Sequence, residues 1–278
     1  MVNCRVEGTP ITAMASNRGH RLRLEDISHR FGDVVAVRDI DLDIAGGELV
    51  ALLGPSGCGK STLLRIVSGF IRQGSGRVLF DEASVDHMPA NRRGVGIVFQ
   101  NYALFPHMTV RQNVAYGLRE KGLSTHDVRT TAERYIALSG LGGFEHRFPR
   151  ELSGGMKQRV ALARTFAYEP AILLLDEPFG ALDAQTREIM QDELLRLWRT
   201  TGKTVLMVTH DVNEAVYLSN RVCVMSQRPG RIVQEFAIDL DRSTGREAVV
   251  LSDGYTAIRN AVWLAVRQQV TIASRSVP

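Results

Sequence analysis

Nine consecutive residues, Gly54-Pro55-Ser56-Gly57-Cys58-Gly59-Lys60-Ser61-Thr62, combine spaced glycines with a lysine and two hydroxyls. That combination suits the holding of phosphate. Glycine lets the backbone close around oxygens that a side chain would strike. The amides then converge as an anion nest, and a helix starting near Lys60 adds the positive end of its dipole. Lys60 is expected to reach the β- and γ-phosphates of a nucleotide, Ser61 to sit on Mg²⁺, and Thr62 to support the α/β side. The plainer reading is a glycine turn; the Lys-Ser pair and both flanking patterns favour phosphate. Two acids, Asp176-Glu177, follow the apolar run Ala171–Leu175. Beside a phosphate loop, Asp176 suits the Mg²⁺ shell and Glu177 suits a general base acting on water. His210 closes a second apolar run, Thr204–Thr209. A lone histidine is commonly structural, but the carboxyl end of a parallel strand is where open α/β sheets place ligands.

These residues need elements to carry them. Leu49–Leu53 reads as the strand entering the phosphate loop, and Leu63, Leu64, Ile66 and Val67 as the helix leaving it. Ahead of it, Leu22–Ile27, Val34–Val37 and Asp39–Ile44 read as short strands, with Arg30–Asp33 as a turn. Phe31 in that turn reads either as a core residue or as a flat ring for stacking on adenine. Arg77–Phe80 and Val95–Phe99 are further strands, the latter running into Gln100. Residues 101–110 are apolar yet irregular, and suit either a docking surface or an ordinary core loop. From about Arg111 to Phe166 the pattern is wholly helical, so a helical insert of about residues 101–165 is expected. Within it Ser153 reads as an N-cap before Gly154 and Gly155, a second possible anion site. Ala181-Leu182-Asp183 is a tight loop before a helix from Thr186 to Trp198. Arg221–Met225 and Ile232–Ile238 are the last strands, and one helix from about Gly254 to Val270 ends the chain.

The 278 residues are 44% hydrophobic and 23% charged, enough for a sizeable core, and the net charge of +4 is modest. No dense basic run marks a nucleic-acid groove, so no nucleic-acid partner is expected. Cys4, Cys58 and Cys223 show no paired spacing, which fits a reducing compartment and argues against a zinc site. No stretch approaches the ~20 apolar residues of a membrane span, and no secretory signal is visible. Residues 1–21 mix Gly, Pro, Ser, Thr and Arg without period and read as a mobile leader. Cys58, beside Lys60 and a helix start, is expected to have a lowered thiol pKa. It should therefore label with maleimide and be protected by MgATP.

Taken together the motifs resemble those of the ATP-binding subunit of an ABC transporter. The resemblance covers about Leu22 to Phe236. It includes the phosphate loop, Gln100, Leu152-Ser153-Gly154-Gly155, the Leu-Leu-Leu-Asp-Glu-Pro run, Ala181-Leu182-Asp183 and His210. It implies an α/β P-loop ATPase with an N-terminal antiparallel β-subdomain and an inserted helical subdomain. The ATP-binding domain would span 22–240, with a C-terminal helical tail over 241–278.

The resemblance also implies roles. Phe31 stacks on adenine, and Gln100 contacts Mg²⁺ and the attacking water. Ser153, Gly154 and Gly155 bind the γ-phosphate of ATP held by a second copy, and Asp183 bridges the copies. His210 holds the γ-phosphate and orients water and Glu177. The loop Tyr102–Met108 lies beside the groove for a helix of an integral membrane permease, itself fed by a solute-binding protein. The place of action is the cytoplasmic face of the inner membrane. Segments such as Asp183–Arg187 and Met225–Ile232 are similar to nitrate, sulfonate and taurine importers, while Asn101–Val110 resembles the polyamine, iron and sulfate branch. Import of a small anion is the expected task. The rival readings are a soluble ABC ATPase of translation or repair, which usually has tandem cassettes or long coiled-coil inserts, and a non-hydrolysing nucleotide module. The chain has neither insert, and Glu177 with His210 argues against the last.

Overall fold

The computed structural model describes residues 19–275. The chain forms strands β1 (Leu22–Phe31), β2 (Val34–Ile44) and β3 (Leu49–Leu53), then helix α1 (Lys60–Val67). Strands β4 (Ser75–Phe80), β5 (Ala83–Ser84) and β6 (Val95–Val98) follow, then helices α2 (Val110–Glu120), α3 (Thr125–Leu138) and α4 (Gly154–Ala167). Next come β7 (Ile172–Asp176), α5 (Ala184–Thr201), β8 (Thr204–Thr209), α6 (Val212–Leu218), β9 (Arg221–Met225) and β10 (Ile232–Ala237). The tail carries α7 (Arg246–Val250) and α8 (Asp253–Arg275).

Two sheets result, ordered β2-β1-β4-β5 and β10-β9-β3-β8-β7-β6. The first is antiparallel; the second is parallel except for β10. The apolar runs at β3, β7 and β8 bury both faces, as parallel strands between layers do. Leu49, Ala51, Leu53, Leu173, Leu175, Val205 and Met207 pack under helices α2 to α6 and α8. Val50, Leu52, Ile172, Leu174, Leu206 and Val208 face α1 and the antiparallel sheet. One period-2 alternation thus feeds two cores. The carboxyl ends of β3, β6, β7 and β8 lie along one edge of the sheet, which brings the phosphate loop, Gln100, Asp176-Glu177 and His210 to the same side.

Several expectations shift. Residues 34–44 form one strand, not two, and β1 runs through Phe31, so that only Gly32 and Asp33 turn. A bulge absorbs the break in alternation: the register slips near Ile27 and His29, Asp39 takes φ 48°, and its amide donates to Ser28 Oγ at 2.9 Å. The stretch read as wholly helical is three helices. Residues 139–153 between α3 and α4 hold only the 3₁₀ turn Pro149–Glu151, because Gly140 and Gly143 take positive φ of 61° and 85°. Strand β5 and helix α7 are additions. The leader expectation lies outside the described residues up to 18. Its last three residues are tied down: the Gly19 amide donates to Gly202 O at 2.8 Å, His20 O accepts from Thr204 Oγ1 at 2.6 Å, and Arg21 pairs with Asp43.

Candidate functional site: the phosphate-loop cavity

The loop between β3 and α1 closes tightly because only glycine fits its critical positions. Gly59 sits at φ 105°, and a Cβ there would lie 2.5 Å from Val37 Cγ1 and 2.8 Å from Ala36 O. Gly57 takes φ 75°. Gly59 is the N-cap of α1 and no side chain caps the helix. The first-turn amides of Lys60, Ser61 and Thr62 therefore have no carbonyl partner inside the helix. They face a cavity of about 410 Å³, lined by Phe31, Val34, Ala36, Ser56, Gly57, Gly59, Lys60, Ser61, Thr62, Glu177 and Arg228. That size lies in the range of small-ligand sites.

Phe31 is half exposed at the mouth of this cavity, with the His29 ring edge-on to it at 4.6 Å. Gly54, Pro55 and Cys58 do not line it. Gly54 and Pro55 act through their carbonyls, which accept from Lys60 Nζ at 2.7 and 3.0 Å. The expected reach of Lys60 toward phosphates is not the conformation adopted; within the chain, the buried ammonium is satisfied by these carbonyls. Cys58 departs from expectation as well. It is 1% exposed, and burial pushes its thiol up despite Lys60 3.8 Å away. Desolvation of a thiolate outweighs one neighbouring charge.

The acids sit where β7 ends. Asp176 Oδ1 accepts from Ser61 Oγ at 3.1 Å, and burial pushes its carboxyl above the usual range. Glu177 takes φ 47°, a left-handed conformation that costs a non-glycine residue on the order of 1 kcal/mol. Its amide donates to Val208 O at 2.9 Å, its carbonyl accepts from Gly180 N at 3.1 Å, and its carboxylate pairs with His210 Nδ1 at 3.3 Å. A bond to β8 and one within the following loop thus hold the strained backbone with Glu177 lining the cavity, while His210, outside that lining, pairs with its carboxylate. Gln100 is exposed beyond β6, beside the Glu177–Leu182 loop, where a Cβ on Gly180 would lie 3.3 Å from its Nε2.

Ser153, Gly154, Gly155 and Asp183 do not line the cavity. Ser153 caps α4 by accepting from Met156 N at 3.3 Å, and is exposed with Gly154. A Cβ on Gly155 would meet Thr186 Cγ2 at 2.6 Å, so the glycine lets α4 and α5 approach. Asp183 is the N-cap of α5, accepting from Thr186 N at 3.0 Å; that amide holds its carboxyl low. Arg228 was not singled out by sequence. Its Nε and Nη2 donate to Gly57 O at 3.2 and 3.0 Å, so it braces the loop from the turn after β9. A basic residue following the strand that neighbours β3 was the available signal.

Phosphate loop, β7 acids and β8 histidine on one sheet edge define a P-loop nucleotide-hydrolysing fold. A family model described as "ABC transporter" matches residues 37–180. A putative ATP-binding protein of Brucella abortus, BAB2_1147, is 49% identical over 90% of this chain and 94% of its own length. The nitrate import ATP-binding protein NrtD of Synechocystis is 48% identical over 79% of this chain and 83% of its own. The spermidine/putrescine import protein PotA of Nitrosomonas europaea is 50% identical over 74% of this chain but 57% of its own. Among solved structures, the dimeric post-hydrolysis state of the cassette MJ0796, bound to ADP and Pi, superposes with TM-score 0.69 at 32% identity, covering 78% of this chain and 99% of that one. The chain belongs to the ABC transporter family, as an ATP-binding, ATP-hydrolysing subunit. The described residues include no helix long and apolar enough to cross a membrane.

Proposed function

We propose that the chain powers import of a small solute, with two copies closing around two ATP molecules beneath a separate membrane permease on the cytoplasmic face of the inner membrane. The observation that carries this is the convergence of Ser61, Glu177 and the uncapped α1 start on one cavity, with His210 on Glu177. Lys60 exchanges the Gly54 and Pro55 carbonyls for phosphate oxygens, and the α1 amides hold the same group. Ser61 and Asp176, 3.1 Å apart, are two hard oxygen donors that fit Mg²⁺; Gln100 completes the set. Held by these residues, Mg²⁺ would supply charge neutralisation to the transferring phosphate. Glu177 orients and deprotonates water, and His210 holds the γ-phosphate and fixes the Glu177 carboxylate. Phe31 stacks on adenine, and Arg228 keeps Gly57 in place. Ser153, Gly154, Gly155 and Asp183 complete the site of the partner copy, which accounts for their distance from this cavity.

A small anion such as nitrate, a sulfonate or taurine is the cargo this reading favours, delivered by a solute-binding protein. The support is likeness: Asp183–Arg187 and Met225–Ile232 are similar to nitrate, sulfonate and taurine importers, and the nitrate subunit is 48% identical over 79% of this chain. Glu177→Gln is the test of the chemistry. It should lower phosphate release by about 10²-fold or more while ATP binding survives; near wild-type release rejects Glu177 as the base. For cargo, a strain lacking the gene should lose uptake of nitrate or sulfonate. Intact anion uptake with lost putrescine uptake reverses the assignment.

A further inference from the structure

A second cavity, about 600 Å³, lies behind the His210 turn between α5, α6, α7 and α8 and includes no phosphate-loop residue. Its wall is a run of polar contacts. Arg246 Nη2 donates to Gln191 Oε1 at 2.6 Å, and Gln191 Nε2 donates to Glu214 Oε1 at 3.3 Å. Thr209 Oγ1 donates to Glu214 Oε2 and accepts from Asp211 N at 3.1 Å. Thr209 and Asp211 are the two chain neighbours of His210. Gln191, Thr209 and Glu214 are all buried, and burial pushes the Glu214 carboxyl up, so removing a partner leaves an orphaned polar group. The tail grips α6 at both ends. Tyr255 Oη donates to Asn213 O at 3.4 Å, while Arg242 Nε donates to Tyr217 O at 2.5 Å and its Nη2 to Val216 O at 3.3 Å and to Ser219 O.

We propose that the C-terminal tail is a positioning element for His210, acting through Arg246, Gln191, Glu214 and Thr209. The proposal rests on the reading of His210 given above. None of these four lines the nucleotide cavity, so they are positioning residues. Their bonds fix the turn on which His210 meets Glu177, and a shift of α7 is passed along the same bonds.

The test is a double-mutant cycle on single-turnover hydrolysis and ATP Kd, with Gln191→Leu, His210→Ala and the pair. Gln191→Leu keeps side-chain bulk and removes both hydrogen bonds. It should lower the rate by about tenfold, with Kd within about twofold, and cause no further loss in the His210→Ala background. An equal proportional loss in both backgrounds, or a full rate for Gln191→Leu, overturns the proposal. A wild-type rate for His210→Ala alone removes the reading of His210 itself, a distinct result that takes the proposal with it. Arg246→Gln, at a partly exposed position, repeats the cycle if Gln191→Leu does not fold. Independently, in ¹⁵N-histidine-labelled protein, Arg246→Gln should shift the His210 ring signal, identified by its loss in His210→Ala, and leave that of His29 in place. An unmoved His210 signal overturns the proposal.

Discussion

At α1 the helix begins on Gly59 with no side-chain cap, whereas at α4 Ser153 spends its own hydroxyl on the Met156 amide. The first start opens into a walled cavity with Lys60, Ser61, Thr62 and Glu177 around it. The second is exposed, with Leu182 and Tyr102 as the atoms nearest Gly154. Both starts present amides, yet only one is enclosed by its own chain. An anion at Ser153 would need a second wall, and in the proposed two-fold pair of chains the partner copy would supply it twice. A helix start is therefore half of a binding site, and the other half is decided by what the fold puts opposite it.

The largest expected effect tests that division. Lys60→Ala or Ser153→Arg alone should abolish tight ATP occlusion, Lys60→Ala by about tenfold to a hundredfold in affinity. A mixed dimer of the two variants should regain occlusion at one site, since one site pairs both defects and the other is intact. Mixed dimers that occlude no better than either parent place Ser153 in its own chain's site.

A smaller effect separates what glycine does at each start. Gly59→Ala meets Val37 and the Ala36 carbonyl at positive φ, and should destabilise by about 2 kcal/mol and weaken ATP binding about tenfold. Gly155→Ala meets only Thr186 Cγ2, and should cost about 1 kcal/mol in urea unfolding. Thr186→Ser, which removes that methyl, should restore Gly155→Ala and leave Gly59→Ala unchanged. Rescue of neither glycine variant removes the packing account of Gly155.

Asp176 sharpens the enclosed side. Its raised pKa means the folded chain holds a proton that the unfolded chain has lost, over the window from the ordinary carboxylate value upward. Stability from this group therefore falls as pH rises through that window, and the penalty is complete above it. Asp176→Asn should raise the thermal midpoint at pH 7 by about a few degrees, narrow that gain below about pH 4, and weaken Mg²⁺-dependent ATP binding. A lower midpoint at pH 7 contradicts the burial argument. Smallest of all, maleimide should react slowly with Cys58 both with and without MgATP. Rapid labelling that nucleotide blocks would restore the reactive thiol read from sequence.

The strands around the chemistry were legible because their runs are uniformly apolar: β3, β8 and β9 have the bounds that pattern predicts, and β7 and β10 differ at their ends by one residue. What alternation hides is a bulge. The left-handed Asp39 lets β2 continue where the pattern breaks. Motif pointed to Lys60, Ser61, Thr62 and Glu177, which line the cavity, but not to the direction of Cys58's shift. Adjacency to Lys60 is visible in sequence, and the packing of Gly230 against the Cys58 carbonyl, where a Cβ would lie 1.9 Å away, is not. Arg228 was missed for the same reason, since it enters the site from a turn some 170 residues downstream of the loop it braces.

Strand β3 lies inside the six-stranded sheet, paired with β8 on one side and β9 on the other, and none of its five residues is exposed. Its amides should exchange with deuterium only when the whole molecule opens, while those of the outlying β10 exchange sooner. The phosphate loop is thus rooted in the slowest-exchanging part of the protein. Protection that nucleotide adds at Gly57 or Gly59 can be read against an adjoining stretch that stays silent on the same peptide.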